Sequence, residues 1–138
     1  MIRRRYEPYK GNLAIPGGRV ESEDYGKTPV MSGRGLERAF RRAAKREAKE
    51  KVGVDVRIFR KIGVYDTPGR DPRGNYVTNV YYARLAGGCT IKDIKAGDDA
   101  EEVHLFKAIP NRMAFDHEKI LTDSKLFGAY WTWGLLSI

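Results

Sequence analysis

The chain has 138 residues, enough for one domain with a sizeable core, and 41% of them are hydrophobic. That content excludes a disordered chain, and no apolar run reaches the ~18–20 residues that a membrane span needs. The single cysteine, Cys89, excludes an intrachain disulfide and a cysteine-based zinc site. The first residues lack the apolar stretch of a secretory signal. We therefore expect a cytoplasmic globular domain with no membrane partner.

The positive charge is concentrated in the first half of the chain. The formal net charge is +8; residues 1–70 carry 18 basic and 9 acidic side chains, whereas residues 71–138 carry 8 and 9. Such a field attracts anionic partners, either nucleotides or nucleic acids, although it also serves solubility alone. Since no RNA-binding motif accompanies it, a nucleic-acid partner is an open but less favoured alternative.

The first half predicts a short strand, a loop and one helix. Residues 11–18 combine apolar side chains with a glycine pair, which predicts a strand that ends in a tight turn. Residues 22–35 show little periodicity and predict a long loop. From 36 to 52 the apolar side chains recur at helical spacing, which predicts an amphipathic helix, and Gly53 is the expected stop.

The second half is richer in strands. Residues 54–65 alternate and residues 76–85 are β-branched and aromatic, so each predicts a strand, with a polar loop at 66–75 between them. Residues 103–109 predict one more strand, and residues 116–127 predict a short helix. The mixed order of strands and helices indicates an α/β or α+β fold.

Two segments carry candidate chemistry: residues 16–21 (PGGRVE) and residues 46–54 (REAKEKVGV). On a helix, Glu47, Glu50 and Lys51 lie within one turn on a common face. Two carboxylates so placed can hold a hard divalent cation such as Mg²⁺, and the glycine pair can add a carbonyl oxygen. The alternative is a solvated face on which Glu–Lys pairs only stabilise the helix.

In combination, the two segments resemble the Nudix hydrolase signature, G-x5-E-x7-R-E-U-x-E-E-x-G-U, in which U is a bulky apolar residue. Further motifs resemble the ADP-ribose pyrophosphatase branch of that family, and the likeness runs from about residue 2 to residue 122; these motifs are residues 2–11, 68–74, 97–100 and 114–117. The resemblance implies a single Nudix domain over residues 1–138, built as an α/β/α sandwich with a mixed β-sheet.

The resemblance also implies an activity, the hydrolysis of the diphosphate in ADP-ribose or a related nucleoside diphosphate derivative, with Mg²⁺ or Mn²⁺ as cofactor. Glu47 and Glu50 then match the catalytic glutamates, and Arg46 matches the arginine that orients them. The metal ligands implied in this way are the Gly17 carbonyl, Glu47, Glu50 and Glu102, with Glu101 as the alternative to Glu102. General chemistry agrees, because metal ions offset diphosphate charge and generate a nucleophile.

Several positions are candidates for contact with the substrate. A guanidinium group suits phosphate recognition, and a glycine lets the backbone approach a ligand closely. Asp71 is a candidate for positioning neighbouring arginines through a salt bridge, and His117 is expected to be structural rather than catalytic. The predicted substrate-binding residues are Arg5, Gly18, Arg19, Arg70 and Arg73.

The chain departs from the signature at Lys51, which stands where the third helix glutamate is expected. Its ammonium lies four residues after Glu47 and can pair with that carboxylate. This departure predicts the loss of a metal site or weaker metal binding by the whole cluster. It also keeps open a second function, a catalytically weak domain that binds or senses a nucleotide.

The spacing within the signature is also stretched. Gly18 to Asp24 preserves G-x5-E with aspartate for glutamate, but 21 residues then precede Arg46 where the signature has 7. The sequence therefore predicts a 14-residue inserted loop at about residues 25–38. It is either a substrate-contacting loop or a tolerated surface insertion, since loops accept extra length cheaply.

The last predicted feature is an aromatic tail, residues 125–138. Nudix domains normally have a strand before the arginine-rich lead-in, and this chain starts at the lead-in. The tail is rich in strand-forming residues, so we expect it to supply that strand, either within the chain or swapped into a homodimer. The alternative is a frayed or helix-packed tail.

Overall fold

Six strands and three α-helices build the part of the chain that this computed structural model describes, which is residues 1–26, 33–97 and 100–126 and the backbone of 134–137. Among these residues, no helix has both the length and the apolarity to cross a bilayer. The elements in chain order are β1 (Ile2–Arg4), β2 (Leu13–Ala14), α1 (Ser22–Tyr25), α2 (Gly33–Val52), β3 (Val56–Tyr65), β4 (Thr78–Leu85), a 3-10 turn (Ile91–Asp93), β5 (Ala100–Val103), α3 (His117–Ser124) and β6 (Gly134–Ser137).

The strands form two antiparallel sheets of three. One sheet has the order β2-β1-β5, and the other has the order β3-β4-β6. An isolated parallel bridge between Leu13 and Met113 gives the described strands their one parallel pairing. Together with the helices, this arrangement confirms the α+β class predicted from the sequence.

Helix α2 is the longest element, and its buried face is made mostly of alanine. Ala39, Ala43, Ala44 and Ala48 are fully buried, so the helix backbone packs closely against the strands. The helix ends before Gly53, whose φ of +74° suits glycine at a helix C-terminus. In the core cluster, Ala43, Ala44 and Ala48 of α2 meet side chains from β1, β3 and β4.

The helix starts earlier than predicted, so the expected inserted loop at 25–38 is wrong in part. Residues 33–38 are the first turns of α2, and Ser22–Tyr25 form the short helix α1. Gly35 is buried in the helix, so the polar and glycine-rich composition misled the loop prediction. The rest of the predicted loop, residues 27–32, lies outside the described residues.

Two strand predictions also need correction. The strand predicted at 103–109 lies at Ala100–Val103, because pairing with β1 ends where the Met1 ammonium and the His104 carbonyl meet. The strand predicted within 11–18 is confined to Leu13–Ala14. It ends there because the next backbone amide, that of Ile15, donates to the His117 ring instead of to a neighbouring strand.

Within the tail, the described segment is strand β6, which pairs antiparallel with β4 of the same chain from Val80↔Ser137 to Ala83↔Gly134. The tail therefore forms a strand within the chain, and its predicted replacement of the strand before the lead-in stays a prediction. It joins the sheet of β3 and β4, whereas the arginine-rich lead-in lies in the other sheet. Homodimer formation through the tail stays a prediction.

Deleting residues 127–138 should destabilise the protein, because it removes β6 and exposes the backbone edge of β4. We expect the free energy of unfolding to fall by about 2 kcal/mol or more, since each ladder hydrogen bond contributes about 1 kcal/mol. Urea unfolding followed by circular dichroism measures the change. A truncated monomer as stable as the full chain would contradict an intrachain role for β6.

Candidate functional site

The predicted glycine turn, residues 16–18, lies directly over the predicted acidic helix α2. A Cβ atom built on Gly18 would fall 2.0 Å from Oε1 of Glu47 and 2.2 Å from its Cδ. No side chain fits there while Glu47 keeps its position, so the glycine is required by a close approach of backbone to carboxylate. The turn and the helix thus meet at Glu47.

Arg46 holds this meeting point together. Its Nη1 donates to Oε1 of Glu47 and to Oε2 of Glu50, both at 3.0 Å. Its Nη2 donates to Oδ2 of Asp24 at 2.9 Å and to the carbonyl of Arg19 at 2.8 Å. The hydrogen bond to Asp24 and the charge of Glu47 raise the pKa of Arg46 above its ordinary range. The planar guanidinium therefore orients three carboxylates at once.

Asp24 occupies the place of the first signature glutamate and joins the same network. It is 4% exposed, and its Oδ2 accepts from the backbone N–H of Glu21 as well as from Arg46. The Glu21 carboxylate approaches Arg46 at 3.6 Å. We call Glu21, Asp24, Glu47 and Glu50 the carboxylate cluster. The spacing from Gly18 to Asp24 therefore has a structural reason, because α1 places the Asp24 carboxylate within hydrogen-bond distance of Arg46.

Within the carboxylate cluster, Glu47 has a buried oxygen that can still accept a further interaction. It is 5% exposed, and its Oε2 is buried without a hydrogen-bond partner among the described residues. Burial raises the pKa of Glu47, while the positive charges of Lys51 and Arg46 act in the opposite direction. The Lys51 ammonium lies 3.6 Å from Oε2, and both side chains are more than nine-tenths buried. A buried carboxylate oxygen without a donor is expected where a cation binds.

The residues present fit a hard divalent cation. Glu47, Glu50 and the Gly17 carbonyl are oxygen donors of the type that Mg²⁺ and Mn²⁺ take, and Mg²⁺ sites keep several waters. In the described part of the chain, however, no group of three or more His, Cys, Asp or Glu side chains is arranged to hold a metal. The protein thus offers a partial ligand set that water or substrate oxygens would complete.

Glu102, the fourth predicted metal ligand, is placed elsewhere. It lies on β5, where its Oε2 accepts from Arg3 Nε and lies 2.8 Å from His104 Nε2. These two hydrogen bonds lower the pKa of Glu102. The structure does not bring it into a three-carboxylate group with Glu47 and Glu50. In the structure its carboxylate is paired at the β1–β5 surface, and the expected contribution of Glu102 to a metal site stays a prediction.

A cleft of about 460 Å³ opens beside the glycine turn. Its lining includes Lys51 and the aromatic side chains of Tyr6, Phe40, Tyr76 and Phe115. The guanidinium of Arg19 lies 5.0 Å from the ring centre of Tyr76, and that of Arg73 lies 5.0 Å from the ring centre of Phe115. This wall offers positive charge and flat apolar surface together. The cleft brings together every predicted substrate-binding residue: Arg5, Gly18, Arg19, Arg70 and Arg73.

The two loop arginines have different partners in this cleft. Arg70 is 6% exposed and makes a two-point ion pair with Asp116, which the sequence did not single out. Arg73 is 42% exposed and pairs with Asp71, which was predicted to position the arginines and whose pKa is lowered by that contact. The Arg70 guanidinium is therefore occupied by a structural ion pair, whereas the Arg73 guanidinium stays accessible to an anion.

Phe115, which lines the cleft, and Asp116, which pairs with the cleft residue Arg70, are residues that sequence reasoning missed as individuals. Both lie in the 114–117 motif, which the sequence identified only as a block. His117, from the same motif, is buried, and its Nδ1 accepts from the Ile15 N–H at 3.1 Å. Burial lowers the pKa of His117 to about 4. It therefore serves as a neutral acceptor that ties α3 to the end of β2, the structural role expected of it.

Comparison with known proteins identifies the family. Residues 1–124 match the model of the NUDIX domain, so the chain belongs to the Nudix family. It is 38% identical over 125 residues to an ADP-ribose pyrophosphatase of Methanocaldococcus jannaschii, covering 89% of this chain and 63% of that protein. It is 29% identical over 124 residues to an ADPR-responsive transcriptional repressor of Acinetobacter baylyi, covering 90% of this chain and 45% of the repressor.

A solved structure supports the fold. The crystal structure of a NUDIX hydrolase from Nitrosomonas europaea superposes with a TM-score of 0.61 at 24% identity, covering 92% of this chain and 64% of that one. The likeness to this structure is one of fold. The Nudix fold and family predicted from the sequence are confirmed. The chain nonetheless spans less than two thirds of the length of both curated relatives.

His117 should make stability depend on pH in a defined window. Its pKa is about 4 when folded against 6.5 ordinarily, so the unfolded chain takes up its proton first as pH falls. The contribution is complete above pH 6.5 and is lost between pH 6.5 and 4, by up to about 3 kcal/mol. In urea unfolding at several pH values, the free energy of unfolding of His117→Asn should change less between pH 6.5 and 4 than that of the parent, whereas the control His104→Asn should keep the parent's pH dependence. An unchanged slope in His117→Asn would contradict the assignment.

Proposed function

We propose that the chain is a metal-dependent hydrolase that cleaves the diphosphate of ADP-ribose or a related nucleoside diphosphate derivative. The observation that carries this proposal is the buried Oε2 of Glu47, which has no hydrogen-bond partner in the described part of the chain. It lies between the glycine turn and Lys51, two elements of the cleft lining. Water attack on one phosphorus of ADP-ribose would give AMP and ribose 5-phosphate.

In this proposal, Glu47, Glu50 and the Gly17 carbonyl hold Mg²⁺ or Mn²⁺. When bound, such a cation offsets the charge of the diphosphate and lowers the pKa of a water that it binds. The role of Arg46 is positional, because it fixes both glutamates from one guanidinium. Glu50 is 41% exposed and Glu47 is buried, so solvent reaches the Glu50 carboxylate more readily than the Glu47 carboxylate.

The substrate's anionic and flat parts have separate counterparts in the cleft. Arg5, Arg19 and Arg73 line it with guanidinium groups suited to phosphate oxygens. Tyr76 and Phe115 are aromatic rings suited to a nucleobase, which would stack in place of one of the two arginines that lie over each ring. The 38% identity to a protein named ADP-ribose pyrophosphatase supports this substrate class, although the chain covers 63% of that protein.

A second candidate function is a nucleotide-binding or sensing domain with weak catalysis. The specific observation in its favour is the buried Lys51 ammonium 3.6 Å from Glu47, where the signature has a glutamate. A relative named as an ADPR-responsive repressor is 29% identical to this chain, which covers 45% of that relative. Both candidates use the same cleft, so turnover separates them.

Incubation with ADP-ribose and Mg²⁺ or Mn²⁺ should release AMP, measured by chromatography. Glu50→Gln should lower kcat by about 100-fold or more, because a charged metal ligand becomes neutral. The matched control is Glu118→Gln, at an exposed position in the first turn of α3, and it should keep full activity.

Full activity in Glu50→Gln would contradict the metal assignment. Tight binding of ADP-ribose without turnover by the parent protein, with either metal, would favour the sensing function instead. A panel of dinucleotides and nucleoside triphosphates run in parallel would define which nucleoside diphosphate derivative is preferred.

A further inference from the structure

Lys51 is a buried lysine placed between the carboxylate cluster and the cleft. Its side chain is 8% exposed, and its Nζ lies 3.6 Å from the Oε2 of Glu47. Lys51 also belongs to the lining of the cleft, beside Gly18 and Arg19. A lysine seldom becomes buried without a compensating anion, and here the carboxylate at the proposed metal position is one such anion.

The local charges show what this lysine replaces. Four carboxylates, those of the cluster, face two cations, Arg46 and Lys51, so these described side chains sum to two negative charges. One divalent cation neutralises that sum. With a glutamate at position 51, as in the signature, the sum would be four negative charges, which two divalent cations would neutralise. The exchange of glutamate for lysine therefore supplies the charge of one divalent ion.

We propose that the Lys51 ammonium takes the place of one metal ion, so that the site binds a single divalent cation and attracts the substrate's diphosphate partly without metal. This inference rests on the proposed function for the identity of the substrate. An ammonium is a compact cation with three donors, and it binds phosphate oxygens as a point charge. From the cleft lining, it adds to the field of Arg5, Arg19 and Arg73.

A purely structural salt bridge makes a different prediction. In that case Lys51 only offsets the buried Glu47, and its replacement changes stability without changing metal stoichiometry or metal-free binding. The two interpretations are separated by equilibrium binding, which needs no turnover.

The first measurement is calorimetric binding of ADP-ribose to the full chain in EDTA. The parent should bind, and Lys51→Met should bind at least about 10-fold more weakly through loss of one charge-assisted contact. Lys51→Arg keeps the charge and should stay within about 3-fold of the parent. The matched control is Lys49→Met, on the same helix but paired with Asp55 at 3.0 Å, and it should bind as the parent does.

The second measurement is Mn²⁺ binding followed by electron paramagnetic resonance, with Mn²⁺ alone as the probe. The parent should bind one ion, and Lys51→Glu should bind two. This readout stays informative if Lys51→Met folds poorly, because Lys51→Glu restores the residue that the family signature has at this position.

Equal metal-free binding by the parent and Lys51→Met, or one Mn²⁺ in both the parent and Lys51→Glu, would overturn the inference. These results differ from a failure of the proposed function, in which the parent binds no ADP-ribose even with Mg²⁺. The Mn²⁺ stoichiometry tests Lys51 in that case too.

Discussion

The rest of the site depends on one side chain, Arg46, and on the carboxylates that it gathers. Two of its partners, Asp24 and Glu47, are buried, and an unpaired buried carboxylate costs several kcal/mol. The same guanidinium donates to the Arg19 carbonyl, which follows the glycine turn. Helix α1, the turn and helix α2 are therefore held in register by a single planar group. Gly18 completes the arrangement, since any side chain there would displace Glu47.

The charged side chains of the cleft are of two kinds: some are buried in structural ion pairs, and others remain accessible to solvent. Arg70 and Asp116 form a largely buried two-point ion pair near the neutral His117. This pair stabilises the wall of the cleft, and because its charges cancel, it adds little to the electrostatic potential there. Arg73 is far more exposed and is positioned by Asp71. Lys51 differs again, because this lining residue is paired with Glu47, which is buried against the glycine turn. The accessible Arg73 thus lies on the wall of the cleft, and the buried pair of Lys51 and Glu47 lies at the glycine turn.

Sequence reasoning succeeded where the determining interactions are local. The alanine face of α2, Gly53 and the strands β3 and β4 follow from periodicity and helix-stop chemistry over a few residues. It failed where pairing partners are distant in the chain. The position of β5 depends on β1, and the partner of Arg70 comes from 46 residues further on. The contact of Glu102 with Arg3 likewise depends on the register of β5 against β1, while its predicted metal role stays a prediction.

The free energy of unfolding of Arg46→Met tests most directly whether this arginine organises the site. The control is Arg38→Met, at an exposed position on the same helix. If Arg46 neutralises the buried Asp24 and Glu47, its loss should cost about 3 kcal/mol or more in urea unfolding at neutral pH, with Arg38→Met within about 0.5 kcal/mol of the parent. An Arg46→Met protein as stable as the control would contradict the account.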